Sequence, residues 1–217
     1  MTWIKICGMT TSEAVAAALA AGVNAIGFVF AESPRQLSPA SAVRLAAPAR
    51  GRVACAAVMR HPSQEHLDEV LRLFLPDLLQ TDAEDLRTLQ IPTRLAVLPV
   101  IRHWQHDSGT LPSRVLFEGP HSGVGMRSDW SSASRLARQA ELILAGGLNP
   151  DNIAAAMLSV QPFGVDVSSG VEQRRGIKDP AEIARFVAAV RARDAAHAQP
   201  AEESTPGAPR APREQEK

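Results

Sequence analysis

A chain of 217 residues, 45% hydrophobic and 21% charged with a formal net charge of zero, has the make-up of an ordinary globular protein. Neutral charge gives no general attraction to nucleic acid or to an anionic membrane, 4% aromatics without a tyrosine leave little for base stacking, and no apolar run approaches the ~20 residues that span a bilayer. Two cysteines are no disulfide framework, and the chain opens directly on a strand rather than a secretion signal, so a reducing cytoplasm is the expected location.

In chain order, strand-like segments fall at 4–7, 25–30, 53–59, 77–80, 95–101, 114–118, 142–145 and 164–167. Between most of them, apolar residues recur at helical spacing: 11–21, 38–47, 63–74, 83–89, 130–140, 150–158 and 180–193. Thr10-Thr11-Ser12 offers capping hydroxyls, Gly22 closes the first helix, and Ser38-Pro39, Asn149-Pro150 and Asp179-Pro180 each pair a cap with a helix-opening proline. The interval 102–113 has no apolar period and predicts a short or irregular connection. Residues 195–217, rich in Pro, Ala and charge, have almost nothing to bury and predict a disordered tail.

Eight strands alternating with about seven helices predict an α/β protein, a single (β/α)8 TIM barrel over residues 1–194 with short connections. A doubly wound open sheet is the alternative, but CGMTTS after the first strand is no G-x-G-x-x-G, which argues against a dinucleotide site.

Active sites of such barrels lie at the C-terminal strand ends. Those ends read Lys5-Ile6-Cys7-Gly8, Glu32-Ser33-Pro34-Arg35, Leu79-Gln80-Thr81, Phe117-Glu118-Gly119, Ala145-Gly146-Gly147 and Asp166-Val167-Ser168-Ser169-Gly170, so small and polar residues gather at one mouth. Strand alternation sends Ile4 and Ile6 toward the helices and Lys5 and Cys7 inward. A buried lysine needs a partner, and Asp166 and Glu118 are the inward acids. A Lys5 cation would favour the Cys7 thiolate. Mid-strand Cys55 reads as a small apolar residue. Gly146-Gly147 also suits a plain tight turn; beside Ser168-Ser169-Gly170 it suits an anion cradle for a phosphate.

Together these residues resemble the phosphoribosylanthranilate isomerase family. The likeness is carried by Lys5-Ile6-Cys7-Gly8-Met9-Thr10, Gly27-Phe28-Val29-Phe30 with Ser33-Pro34-Arg35, and Gln80. It continues through Gly123, Gly125 and Asp129-Trp130 to Leu144-Ala145-Gly146-Gly147-Leu148, and closes with Gly164 to Glu172 and Gly176-Ile177-Lys178-Asp179. The resemblance implies an Amadori rearrangement of N-(5-phosphoribosyl)anthranilate that needs neither cofactor nor metal. It implies Cys7 as general base, Arg35 facing the anthranilate carboxylate, Asp166 on the ribose hydroxyls, and Gly147, Ser168, Ser169 and neighbouring amides around the phosphate. A phosphorylated small molecule is the expected partner; monomer and homodimer both remain open.

Departures are visible. The family's acid is an aspartate ending strand 6, and here that place is taken by Glu118, with a shorter loop and His121 as rival acid. The family's histidine after the strand-4 Gln is replaced by Thr81. A ribulose-phosphate epimerase would want metal-ligating histidines at strand ends, and an indole-glycerol-phosphate synthase a lysine acid and a long N-terminal extension. A barrel that binds a phosphorylated metabolite without turnover is the rival of another class.

Overall fold

The computed structural model describes residues 1–104, 111–119 and 127–198. Eight parallel strands close on themselves: β1 (Trp3–Cys7), β2 (Ala25–Val29), β3 (Ala54–Val58), β4 (Leu78–Asp82), β5 (Ala96–Ile101), β6 (Arg114–Phe117), β7 (Glu141–Leu144) and β8 (Gly164–Val167). β1 pairs in parallel with both β2 and β8, which makes the barrel rather than the open sheet. The helices α1 (Ser12–Ala21), α2 (Pro39–Ala46), α3 (Gln64–Phe74), α4 (Trp130–Leu136), α5 (Ile153–Val160) and α6 (Pro180–Ala198) complete most of the β/α units. Thr11, Ser38 and Ser63 cap α1, α2 and α3 by accepting from backbone amides, and Gly22 ends α1 in the left-handed region.

Alternation along the strands divides the apolar residues into two clusters. Outside the barrel, Ile4, Ile6, Ile26, Phe28, Leu79, Val115 and Val165 pack with the helices. Phe74 of α3 meets Phe28 and Phe30 with ring centroids 5.3 and 5.1 Å apart, a contact whose truncation to alanine costs about 3–5 kcal/mol. Inside, Leu98, Val100, Leu116, Ile143 and Ala145 form a smaller cluster with Trp3 and Leu78. With the buried Lys5–Asp166 pair these fill the barrel interior, and Val100 reaches the cavity at the C-terminal strand ends.

Several elements differ from expectation. The helix anticipated at 83–89 is only a single 3-10 turn, Asp85–Arg87, because the Asp85 carboxylate accepts from Thr81 Oγ1 and His61 N instead of serving a longer helix. α5 starts at Ile153 rather than 150, since Asn149 Oδ1 first accepts from Asp151 N and Asn152 N in a turn. α4 stops at Leu136, and α6 runs to Ala198, beyond the boundary expected at 194. No helix lies among the described residues between β5 and β6; 105–110 lie outside them, as do 199–217 and with them most of the expected tail. After β8, a hairpin of β9 (Glu172–Arg174) and β10 (Ile177–Lys178) folds over the mouth. No helix among the described residues is long and apolar enough to cross a membrane.

Candidate active site

β1 brings Lys5 and Cys7 to the interior in register with β8 and β2: Lys5 lies opposite Asp166, and Cys7 opposite Gly27. Lys5 is fully buried and its Nζ donates to Asp166 Oδ1 at 2.8 Å. Burial alone would lower the Lys5 pKa; the Asp166 carboxylate outweighs it and holds the ammonium charged. A Cβ on residue 27 would stand 3.1 Å from Cys7 Sγ and 3.2 Å from Lys5 Cε, so glycine leaves the thiol and the ammonium their space. The expected activation of Cys7 meets an opposing effect. Burial pushes its thiol above the ordinary value, and the Lys5 and Lys178 cations only partly offset that. Burial thus favours the neutral form of the Cys7 thiol.

A cavity of about 170 Å³ opens above these groups, lined by Cys7, Arg35, Gln80, Arg102, Glu118, Asp166 and Ser168 among others. Six of the residues singled out from the sequence therefore line one cavity. Glu118 is close enough for its charge to be felt at Asp166. Gln80 is buried and its Oε1 has no hydrogen-bond partner among the described residues, leaving an acceptor at the cavity for a ligand hydroxyl. His121 lies outside the described residues.

Arg35 is drawn into a fork: Nε and Nη2 meet Glu172 Oε1 and Oε2 at 2.7 and 2.9 Å. Lys178 Nζ joins Glu172 at 2.8 Å and also donates to Ser168 O and Oγ. Burial would raise the Glu172 pKa, but these two cations hold its carboxyl down at about 2. Burial in turn pushes Lys178 below the ordinary lysine range despite Glu172. Two glycines permit this crossing of loops. Gly8, at φ +81°, would place a Cβ 2.4 Å from Arg35 Cδ; Gly176, at φ +86°, would place one 2.7 Å from Pro34 O. The β9–β10 hairpin was invisible to strand periodicity because its strands are only three and two residues long and show no apolar alternation. It supplies Glu172, which pairs with Arg35, and Lys178, which pairs with the same carboxylate; sequence reading anticipated neither contact.

Gly146, Gly147, Ser168, Ser169 and Gly170 sit at the ends of β7 and β8. Gly146 and Gly147 have φ of +88° and +64°. A Cβ at Gly170 would fall 1.9 Å from Leu148 O, so the two turns touch only because residue 170 is glycine. Ser169 and Gly170 open a 3-10 turn, where no intrahelical carbonyl precedes their amides.

β4 runs two residues past the expected end, and parity with Gln80 turns Asp82 toward the mouth. Thr81 points the other way, donating to Asp85, so the contact expected to be altered at Thr81 is not at the cavity. Arg102, which follows β5, links Asp82 Oδ1 (2.8 Å) to Glu118 Oε1 (2.5 Å). No sequence pattern marked Asp82 or Arg102; a longer strand 4 and the exit from strand 5 were the only available signals. His61, Asp82 and Asp85 place ligand atoms within 4.8 Å of one another, the one group among the described residues able to hold a metal ion, though Arg60 and Arg102 flank Asp82.

A family profile described as N-(5'phosphoribosyl)anthranilate (PRA) isomerase matches residues 4–189. The N-(5'-phosphoribosyl)anthranilate isomerase of Rhizobium leguminosarum bv. trifolii is 38% identical over 211 residues, covering 88% of this chain and 95% of that one. The Brucella canis protein of the same name is 38% identical over 206 residues, covering 86% and 93%. The crystal structure of phosphoribosyl anthranilate isomerase from Thermotoga maritima superposes with a TM-score of 0.78 at 29% identity, over 88% of this chain and all of that one. Another structure of the enzyme, in complex with reduced 1-(o-carboxyphenylamino)-1-deoxyribulose 5-phosphate, gives 0.75 at 29% identity with 88% and 100% coverage. The chain belongs to the phosphoribosylanthranilate isomerase family and is a TIM-barrel isomerase of tryptophan biosynthesis.

Proposed function

We propose that the protein converts N-(5-phosphoribosyl)anthranilate to 1-(2-carboxyphenylamino)-1-deoxyribulose 5-phosphate in the cytoplasm, by acid and base catalysis without a cofactor. The observation that carries this is the shared cavity: a thiol from β1 and a carboxyl from the end of β6 face one space about the size of a pentose. Glu118 protonates the furanose ring oxygen, and the ring opens as the anilino nitrogen forms a C=N bond. The Cys7 thiolate removes the C2 proton, and the enolamine tautomerises to the ketone. Asp166, anchored by Lys5, holds ribose hydroxyls, with Gln80 Oε1 as a further acceptor.

The phosphate sits against the turns carrying Gly146, Gly147, Ser168, Ser169 and Gly170. Lys178, which reaches Ser168 from beneath, adds the positive charge that such an anion needs. Bound phosphate would share the Lys178 cation that favours the Cys7 thiolate and so offset part of its effect on the thiol. Arg35 can face the anthranilate carboxylate only by sharing its guanidinium with Glu172.

The deciding experiment follows the fluorescence of freshly made phosphoribosylanthranilate. The expected outcome is its disappearance with wild-type protein and its persistence with Cys7→Ala, while a reduced product analogue binds both. Binding without turnover by the wild type would make the protein a metabolite-binding barrel instead.

A further inference from the structure

Beside the Cys7 cavity, the connection that leaves β3 meets the end of β4. His61 Nδ1 lies 2.8 Å from Asp85 Oδ1. An ionised carboxylate only accepts, so in the neutral ring Nδ1 carries the proton and Nε2 presents its lone pair. That Nε2 stands 3.5 Å from Asp82 Oδ2 and 3.8 Å from Glu84 Oε1. Two donors on one tetrahedral zinc ion, each about 2.0–2.2 Å from the metal, stand roughly 3.3–3.6 Å apart. His61 and Asp82 already have that spacing, and the exposed Glu84 is a small rotation from it.

A second observation points the same way. Asp82 is only 4% exposed, yet its Oδ2 accepts no hydrogen bond among the described residues, an uncompensated buried acceptor. Arg102 is bound to the other oxygen, Oδ1, and Arg60 Nε, 3.8 Å from Oδ2, is beyond hydrogen-bond reach. Around His61 stand three carboxylates, Asp82, Glu84 and Asp85. Arg60 is one cation at their rim, and Arg102 divides its charge between Asp82 and Glu118, so within these contacts negative charge is left over at the imidazole. A cavity of about 490 Å³, bordered by Asp82 and Glu84, and a half-exposed His61 side chain leave the place open to an ion from solvent.

We propose that His61 Nε2 and Asp82 Oδ2, joined by Glu84 and water, bind a divalent transition metal of the zinc class, with Asp85 orienting the histidine. An imidazole among carboxylates suits zinc better than calcium or magnesium, which take oxygen ligands. Asp85 is itself held, its Oδ2 accepting from Thr81 Oγ1 at 2.6 Å and from His61 N at 3.1 Å. That is the outer support a metal-bound histidine needs to keep its tautomer and its aim. The ion ties the connection after β3 to the end of β4 and the 3-10 turn Asp85–Arg87, where a full helix is missing. No ligand atom comes from Cys7 or Glu118, so the site lies apart from the proposed acid and base, and the inference does not depend on the isomerase reading.

The test is calorimetric titration of zinc into the tag-free, chelator-treated full chain near neutral pH. Wild type and Cys7→Ala are expected to bind one ion with the same affinity. Asp85→Asn should weaken that binding about 10-fold or more, and His61→Ala by a larger factor. Bound zinc should raise the thermal midpoint of wild type and leave that of His61→Ala where it was. Absence of binding by wild type overturns the inference, as does unchanged affinity in His61→Ala. Loss of binding in Cys7→Ala places the ion in the other cavity and overturns it too. Cobalt in the wild-type protein needs no variant, so a misfolded substitution does not decide the matter. Visible bands without a thiolate-to-metal charge-transfer band support nitrogen and oxygen ligation at His61, and a strong thiolate band rejects it.

Discussion

The two sides of the barrel mouth handle charge in opposite ways. Around β1, β8 and the β9–β10 hairpin, three cations outnumber two acids and the groups are sealed: Lys5 with Asp166, and Arg35 and Lys178 with Glu172, all nearly buried. Around β4 to β6, one guanidinium is shared by two carboxylates at the edge of a wider cavity. The sealed side suits a task that requires fixed geometry, the grip on a sugar phosphate. The shared side carries the surplus of negative charge, with Glu118 hydrogen-bonded to Arg102. Cys7 lies on the sealed side and Glu118 on the shared one, so the proposed base and the proposed acid have unlike surroundings.

The largest expected effect comes from the sealed side. Cys7→Ala should lower kcat/KM by about 10³-fold or more, with analogue affinity preserved; near-normal turnover would remove the thiol from the chemistry. Next, Glu118→Gln should cost about 10²-fold or more while His121→Ala stays near wild type, and the reverse pattern would move the acid into the loop.

Stability should separate the two sides as well. Glu172→Ala leaves Arg35 and Lys178 facing each other and should destabilise the fold by about 3–5 kcal/mol in denaturant titrations. The sign with pH follows from its depressed folded value. The stabilisation is full above the unfolded glutamate value of about 4.3 and is lost as pH falls toward about 2, and the Glu172→Ala variant should lack that loss. A smaller effect concerns the base. Because burial raises the Cys7 pKa, the active thiolate fraction grows with pH, and kcat/KM of wild type should still be rising above the ordinary thiol value of about 8.5. A plateau well below that value would mean that burial does not govern the thiol.

Much of this was legible in the chain. Alternation in WIKIC placed Lys5 and Cys7 inward, and the caps and prolines marked most helix starts. The closed barrel followed from eight repeats of one pattern. What escaped has physical causes. Strand 4 was drawn too short because Thr81-Asp82 is polar, and polarity at a barrel mouth marks function as readily as a strand end. The hairpin escaped because Glu172–Arg174 and Ile177–Lys178 have no apolar alternation; tertiary contacts hold them, including Thr10 Oγ1 donating to Gly176 O at 2.6 Å. Arg102 escaped because a charged residue after a strand looks like surface until its partners on two neighbouring strands are known. The suppression of the Cys7 thiolate by burial also outran the sequence, which shows a neighbouring lysine but not the water that folding removes.

Gly27 carries no functional group, yet a single methyl there would reach the sulfur at 3.1 Å and the lysine stem at 3.2 Å. The second strand thus sets the room available to the first: a side chain at residue 27 would press on the thiol, the ammonium stem and Val58 of the third strand at once.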